Sequence, residues 1–178
     1  PGGGAGAISS AADEVPVFEF DPAWPKTPLP NNWICGNIGG VHVDEKDQIW
    51  VLQRGNTVKL DLGDDFLQRG ASECCTPAPS VVVFNRAGDV LKAWGGPDPR
   101  NPGSKKTADG YDWPREHGIF VDTKGFVWIG CDDGVQDRIT APENCGSVTK
   151  FTNDGQVVWQ KGRMGQSTGN RRSEEHTS

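Results

Sequence analysis

Gly40-Val-His-Val-Asp-Glu-Lys-Asp-Gln-Ile-Trp-Val51 is echoed 78 positions later by Gly118-Ile-Phe-Val-Asp-Thr-Lys-Gly-Phe-Val-Trp-Ile129. Each stretch runs apolar residues into an aspartate, a short polar turn, and a second apolar run through a tryptophan. That is strand, tight turn, strand. A second phrase recurs at an offset of 67: Val81-Val-Val-Phe-Asn-Arg-Ala-Gly-Asp-Val-Leu91 against Val148-Thr-Lys-Phe-Thr-Asn-Asp-Gly-Gln-Val-Val158. Asn85-Arg-Ala-Gly88 and Asn153-Asp-Gly155 supply its turns, with glycine taking the positive φ that a tight hairpin needs.

Working outward, each copy is two hairpins joined by a long loop. A four-stranded unit repeated along a chain is the pattern of a β-propeller blade. The expectation is therefore an all-β fold: a partial, truncated propeller of about two four-stranded blades plus an N-terminal strand. That leading strand is placed at residues 15–20, where apolar and polar residues alternate and Pro16 puts it at an edge. Residues 21–33 carry Pro22, Pro25, Pro28 and Pro30 and read as an ordered, extended connection. The first unit has strands at 40–43, 48–53, 81–84 and 89–94, with a long loop over 54–80. A second polar loop spans 95–114. The next unit has strands at 116–122 and 126–130, a loop over 131–146, and its outer hairpin beyond.

Composition agrees and excludes some roles. The 24 glycines and 13 prolines among 178 residues fit a loop-rich β protein better than a helical one. The net charge of −6, with lysine and arginine scattered rather than striped, argues against nucleic acid or an anionic membrane surface as partner. No apolar run approaches the roughly 18 residues of a membrane span. Trp50, Trp94, Trp128 and Trp159 stand at strand positions where large rings fill the space between packed sheets. Residues 1–14 read as a disordered Gly/Ala/Ser-rich remnant of a leader, with no signal peptide visible. Residues 15–165 form the partial propeller, and 166–178 a disordered tail. Within the tail, Arg172-Ser-Glu-Glu-His-Thr-Ser178 resembles the in-frame translation of a sequencing-library adapter, and the expectation on that resemblance is a fragment of metagenomic type.

The inner and outer hairpins together resemble NHL-type repeats of six-bladed propellers. Phe20-Asp-Pro-Ala-Trp-Pro-Lys26, Leu29-Pro-Asn-Asn-Trp33, Glu73-Cys-Cys-Thr-Pro77, Trp94-Gly-Gly-Pro97, Gly110-Tyr-Asp-Trp-Pro114 and Glu116-His-Gly-Ile119 are similar to phrases of exported bacterial NHL-repeat proteins. A more distant resemblance is to the peptidyl-α-hydroxyglycine α-amidating lyases, six-bladed propellers with zinc in the central channel. The resemblance implies a periplasmic or extracellular location. It also makes His117, just before an inner strand, a candidate metal ligand. A catalytic zinc takes about three protein ligands, and one blade supplies only one or two. The competing reading is a histidine bonded to a neighbouring loop. The first unit has Gly39 at the equivalent position, so the feature is not copied. His42 aligns with Phe120 and reads as a space-filling residue.

Asp44 and Asp122 are repeat equivalents before a turn, and the simplest reading is a carboxylate closing that turn on backbone N–H groups. The alternative is calcium, which needs six to eight oxygens. Asp61, Asp64, Asp65, Asp132 and Asp133 offer further carboxylates, without EF-hand spacing. Zinc or calcium in the complete protein are thus the cofactors left open. No nucleophile elbow, H-E-x-x-H or phosphate loop is present, and neither Tyr111 nor Arg115 receives a role. Of the five cysteines, Cys131 and Cys145 bracket one loop, and a disulfide there would contribute about 3 kcal/mol. Cys74 and Cys75 either pair with each other or reach Cys35. Disulfides favour an oxidising compartment; buried reduced thiols are the alternative.

Three functions remain in play. The favoured one is binding of a protein or small-molecule ligand, with the loops 54–80 and 95–114 as a rim. The second is a metal-dependent lyase or hydrolase with His117 as one ligand of a channel site. The third is a structural envelope scaffold. Two blades alone would also leave an apolar face bare, which favours self-association.

Overall fold

The computed structural model describes residues 17–58, 75–96, 111, 113, 116–131 and 147–162. They form an all-β structure with two single turns of 3-10 helix, Pro30–Asn32 and Gly55–Thr57. The strands are β1 (Trp33–Ile34), β2 (Asn37–Val43), β3 (Ile49–Arg54), β4 (Thr76–Pro77), β5 (Val81–Phe84), β6 (Val90–Trp94), β7 (Glu116–Val121), β8 (Val127–Cys131), β9 (Val148–Phe151) and β10 (Val157–Lys161). β2-β3-β5-β6 make one antiparallel sheet and β7-β8-β9-β10 a second, while β1 and β4 form a two-stranded parallel ribbon. Neither four-stranded sheet closes on itself.

The two repeats thus fold as two copies of one meander. In register, Val41 faces Val51 and His42 faces Trp50; in the second copy Ile119 faces Ile129 and Phe120 faces Trp128. All four hairpins use one turn. Its first residue donates its N–H to the carbonyl four residues on, and the fourth residue donates back, at 2.8–3.1 Å, in the turns starting at Asp44, Asn85, Asp122 and Thr152. The fourth residue is Asp47, Gly88, Gly125 or Gly155, each at positive φ. Aspartate tolerates that region better than most residues with a Cβ, which explains the one departure from glycine.

The sheets pack face to face. Trp50, Leu52, Val81 and Val83 of the first meet Val121, Val127, Ile129 and Phe151 of the second, with Tyr111 and Trp113 completing the cluster. Trp113 stacks on Phe151 at 5.8 Å between ring centroids, and Trp94 lies 5.4 Å from the same ring. Such pairs add to the area they bury.

The far face of the first sheet is also covered. Trp24, Leu29, Trp33 and Cys35 pack over Val51, Val82 and Phe84. The Pro-rich stretch is therefore a lid on the sheet rather than a plain connection. The strand expected at 15–20 does not form over its described part. Residues 17–20 have no strand, and Val17, Phe18 and Phe20 are exposed. A lone extended segment leaves its backbone groups unpaired, and alternation alone does not supply a partner.

By contrast, the far face of the second sheet carries exposed apolar residues. Phe120, Val148 and Trp159 are all more than two-fifths exposed. Residues 1–14, the tail 166–178 and most of both long loops lie outside the described residues.

Candidate functional site

One carboxylate organises each inner hairpin. Asp44 Oδ1 accepts the N–H groups of Lys46 and Gln48, each at 2.9 Å, and its Oδ2 accepts the indole Nε1–H of Trp50 at 2.9 Å. Asp122 repeats this on Lys124 N at 3.0 Å, Phe126 N at 2.9 Å and Trp128 Nε1 at 2.9 Å. The turn-closing reading of both aspartates holds, and the chain itself engages both oxygens of each. The indole bond was not foreseen. Its signal is present in both repeats as aspartate and tryptophan six positions apart.

These bonds set the charge of both groups. The Trp128 indole and the two N–H groups hold the Asp122 carboxyl below its usual range, against a smaller opposing push from burial. At Asp44, burial pushes upward, yet the Trp50 indole and the N–H groups of Gln48 and Lys46 together pull the carboxyl below its ordinary value.

His117 stands on the inner strand β7 and is exposed. Among the described residues, no three His, Cys, Asp or Glu side chains gather as a metal site requires. The described residues therefore offer a zinc ion His117 alone and no ligand set. Asp61, Asp64, Asp65, Asp132 and Asp133 lie outside the described residues. His42 meets Phe120 edge-on at 5.0 Å, filling the gap between the inner strands of the two sheets.

Beside His117 lies the group that sequence reasoning passed over. Glu116 is 3% exposed, and burial pushes its carboxyl up to about 7. Arg54, at the end of β3, donates from Nε to the Glu116 carbonyl at 2.9 Å. Arg54 Nη2 and Glu116 Oε1 are both buried without a hydrogen-bond partner. The close approach of β2 to β7 creates this seam. A Cβ on Gly39 would come within 2.6 Å of the Glu116 carbonyl oxygen, so only glycine permits it. Gly39 is the repeat counterpart of His117, where the first unit lacks a side chain for this reason.

The inner edge formed by β2 and β7 is apolar and open. Ile38, Val41, Val43 and Phe120 are each more than half exposed, with His117 among them. Both strands are edges of their sheets, so each carries unpaired backbone groups. No protein-family model matches the chain, and no curated protein matches it.

Cys75 and Cys131 are disulfide-bonded. Cys74 and Cys145 lie outside the described residues, so no pairing falls within them. Cys35 is free, so of the two alternatives for Cys74 and Cys75 the one that reaches Cys35 does not occur. It is packed beside Trp33 on the first sheet, and burial raises its thiol above the ordinary value. No helix among the described residues is long and apolar enough to cross a membrane.

Proposed function

We propose that the chain carries two consecutive blades of an exported, NHL-type six-bladed β-propeller whose task is to bind a protein or small-molecule ligand. The observation that carries the binding role is the inner edge: Ile38, Val41, Val43 and Phe120 exposed on two adjoining strands with free backbone groups. Apolar side chains in a row beside unpaired N–H and C=O groups suit an extended peptide laid along a sheet edge. The repeated meander and the repeated aspartate–indole bond support the blade assignment. The disulfide bonding of Cys75 and Cys131 supports an oxidising compartment.

The test is an NMR titration of the labelled chain with an array of extended apolar peptides. Shifts should cluster at residues 38–43 and 117–120 and disappear in Val41→Asp and Phe120→Asp. Shifts confined to other surfaces, or none with any peptide, would sink the reading. Stoichiometric zinc lost in His117→Ala, together with turnover, would replace it by the metal-enzyme reading.

A further inference from the structure

The lid over the first sheet stops short of its inner strand. Trp24, Leu29 and Trp33 pack over Val51, Val82 and Phe84, and Val90 and Ala93 of the outer strand join them. Cross-strand pairing sets Val41 in line with Val51 and Val82, and Val43 in line with Ile49 and Phe84. Partners directly opposite share a face, so both valines point to the lid's side. Yet Val41 is 58% exposed and Val43 54%. Each covered row ends in an uncovered valine at the inner edge.

The residues just before the lid have matching groups with nothing to cover. Phe18 and Phe20 are each 89% exposed, and the structure holds them away from the edge. In an extended chain they project to one side and Glu19 to the other. That spacing is the spacing of Val41 and Val43. Past its irregularity between Ile38 and Gly40, β2 keeps an unbroken register from Gly40 to Val43. Laying Phe18 and Phe20 against the two valines brings Glu19 level with His42, a carboxylate beside an imidazole. Reach permits this. Trp24 rests on Phe84, and the row from Phe84 through Ile49 to Val43 is two strand spacings, about 10 Å. The Trp24 N–H donates to the Asp21 carbonyl at 3.3 Å. With that turn kept, Phe20 lies up to about 11 Å from Trp24.

We propose that residues 17–20 close over Val41 and Val43 of the same chain, so that this segment competes with the peptide ligand of the inner edge. The competition rests on the ligand-binding role proposed above; the contact itself does not. A strand edge with a row of apolar side chains takes an extended apolar segment, and this chain carries one beside it. A second copy offers the same segment, but the attached one is at an effective concentration of millimolar order. The outer edge is the poorer seat, because the lid already covers Val90 and Ala93 there.

The experiment uses the full chain with its phenylalanine rings and valine methyl groups labelled for NMR. Nuclear Overhauser contacts should join Phe18 and Phe20 to the methyls of Val41 and Val43, and vanish in the double variant Phe18→Ser/Phe20→Ser. Both rings are exposed, so the variant keeps the fold. A synthetic peptide copying residues 15–20 should bind the variant about tenfold more tightly than the parent, with shifts at residues 38–43. Absence of the ring–methyl contacts in the parent overturns the proposal. Contacts between differently labelled chains in a mixed sample assign the segment to a second copy and overturn it too. Equal peptide affinity in variant and parent overturns the proposal and leaves the ligand-binding role standing. Ring–methyl contacts in the parent, with no peptide bound by either chain, support the closure and sink the ligand-binding role instead.

Discussion

Asp44 and Asp122 each tie a hairpin to an indole through one carboxylate, and the ionised form accepts all three bonds more strongly than the neutral acid, whose hydroxyl oxygen is a poor acceptor. The sign of the pH dependence follows. The Asp122 carboxyl titrates below its ordinary value of 3.8 when folded. Its contribution is therefore fully present above that value and lost as pH falls through the depressed folded value. Asp122→Asn places an amide N–H₂ or a single shared oxygen against the Trp128 N–H. The variant should unfold at lower urea than the parent at neutral pH, and the difference should shrink as the solution is acidified below about pH 4. Urea midpoints at pH 3 and pH 7 check this. An unchanged difference at the two pH values would mean that the carboxylate charge is not what the turn uses.

At the scale of the element, the strands and turns were legible because a period of two and a glycine turn are local signals. β5, β6 and β9 fall within one residue of their expected starts for that reason. The burial of Glu116 was not legible, because it depends on Gly39, far away in the chain, letting β2 close on β7. Its consequence runs opposite to that of Asp122. Folded, Glu116 stays neutral up to about 7; unfolded, it ionises near 4.5. The stability it allows is complete below 4.5 and declines as pH rises through the folded value, by on the order of 3 kcal/mol. Glu116→Gln keeps the shape and cannot ionise. Its urea midpoint should stay flat between pH 4.5 and 7.5, while the parent's falls. A parent midpoint that is equally flat would mean that the seam opens to water around the carboxylate. The indole-to-aspartate hydrogen bonds stand between these cases: the aspartate–tryptophan spacing is visible in both repeats, but nothing local says that a ring six residues on turns back to the turn.

At the scale of the whole molecule, the segment before β1 takes the place of a preceding sheet. Its prolines hide this from any periodic reading, since a lid need not repeat every two residues. Trp24 packs on Phe84 at 5.5 Å between ring centroids and lies against Gly88, as Trp94 lies against Gly155. Lys26 pairs with Asp89 at 2.6 Å, but both side chains are about half exposed. Area and charge therefore make different forecasts. Removing a half-buried indole should cost about 2–3 kcal/mol, somewhat less than the 3–5 typical of a fully buried ring. Removing an exposed lysine from an ion pair should change the midpoint little. Trp24→Ala should lower the urea midpoint clearly and speed exchange at Val90–Trp94, with Val148–Phe151 unaffected until global unfolding. Lys26→Ala should do neither. Equal losses in the two variants would show that the turn contact at Asp89 holds the segment in place. Faster exchange at Val148–Phe151 in Trp24→Ala would show that the two sheets open as one unit, and that the lid stabilises the whole stack rather than the face it covers.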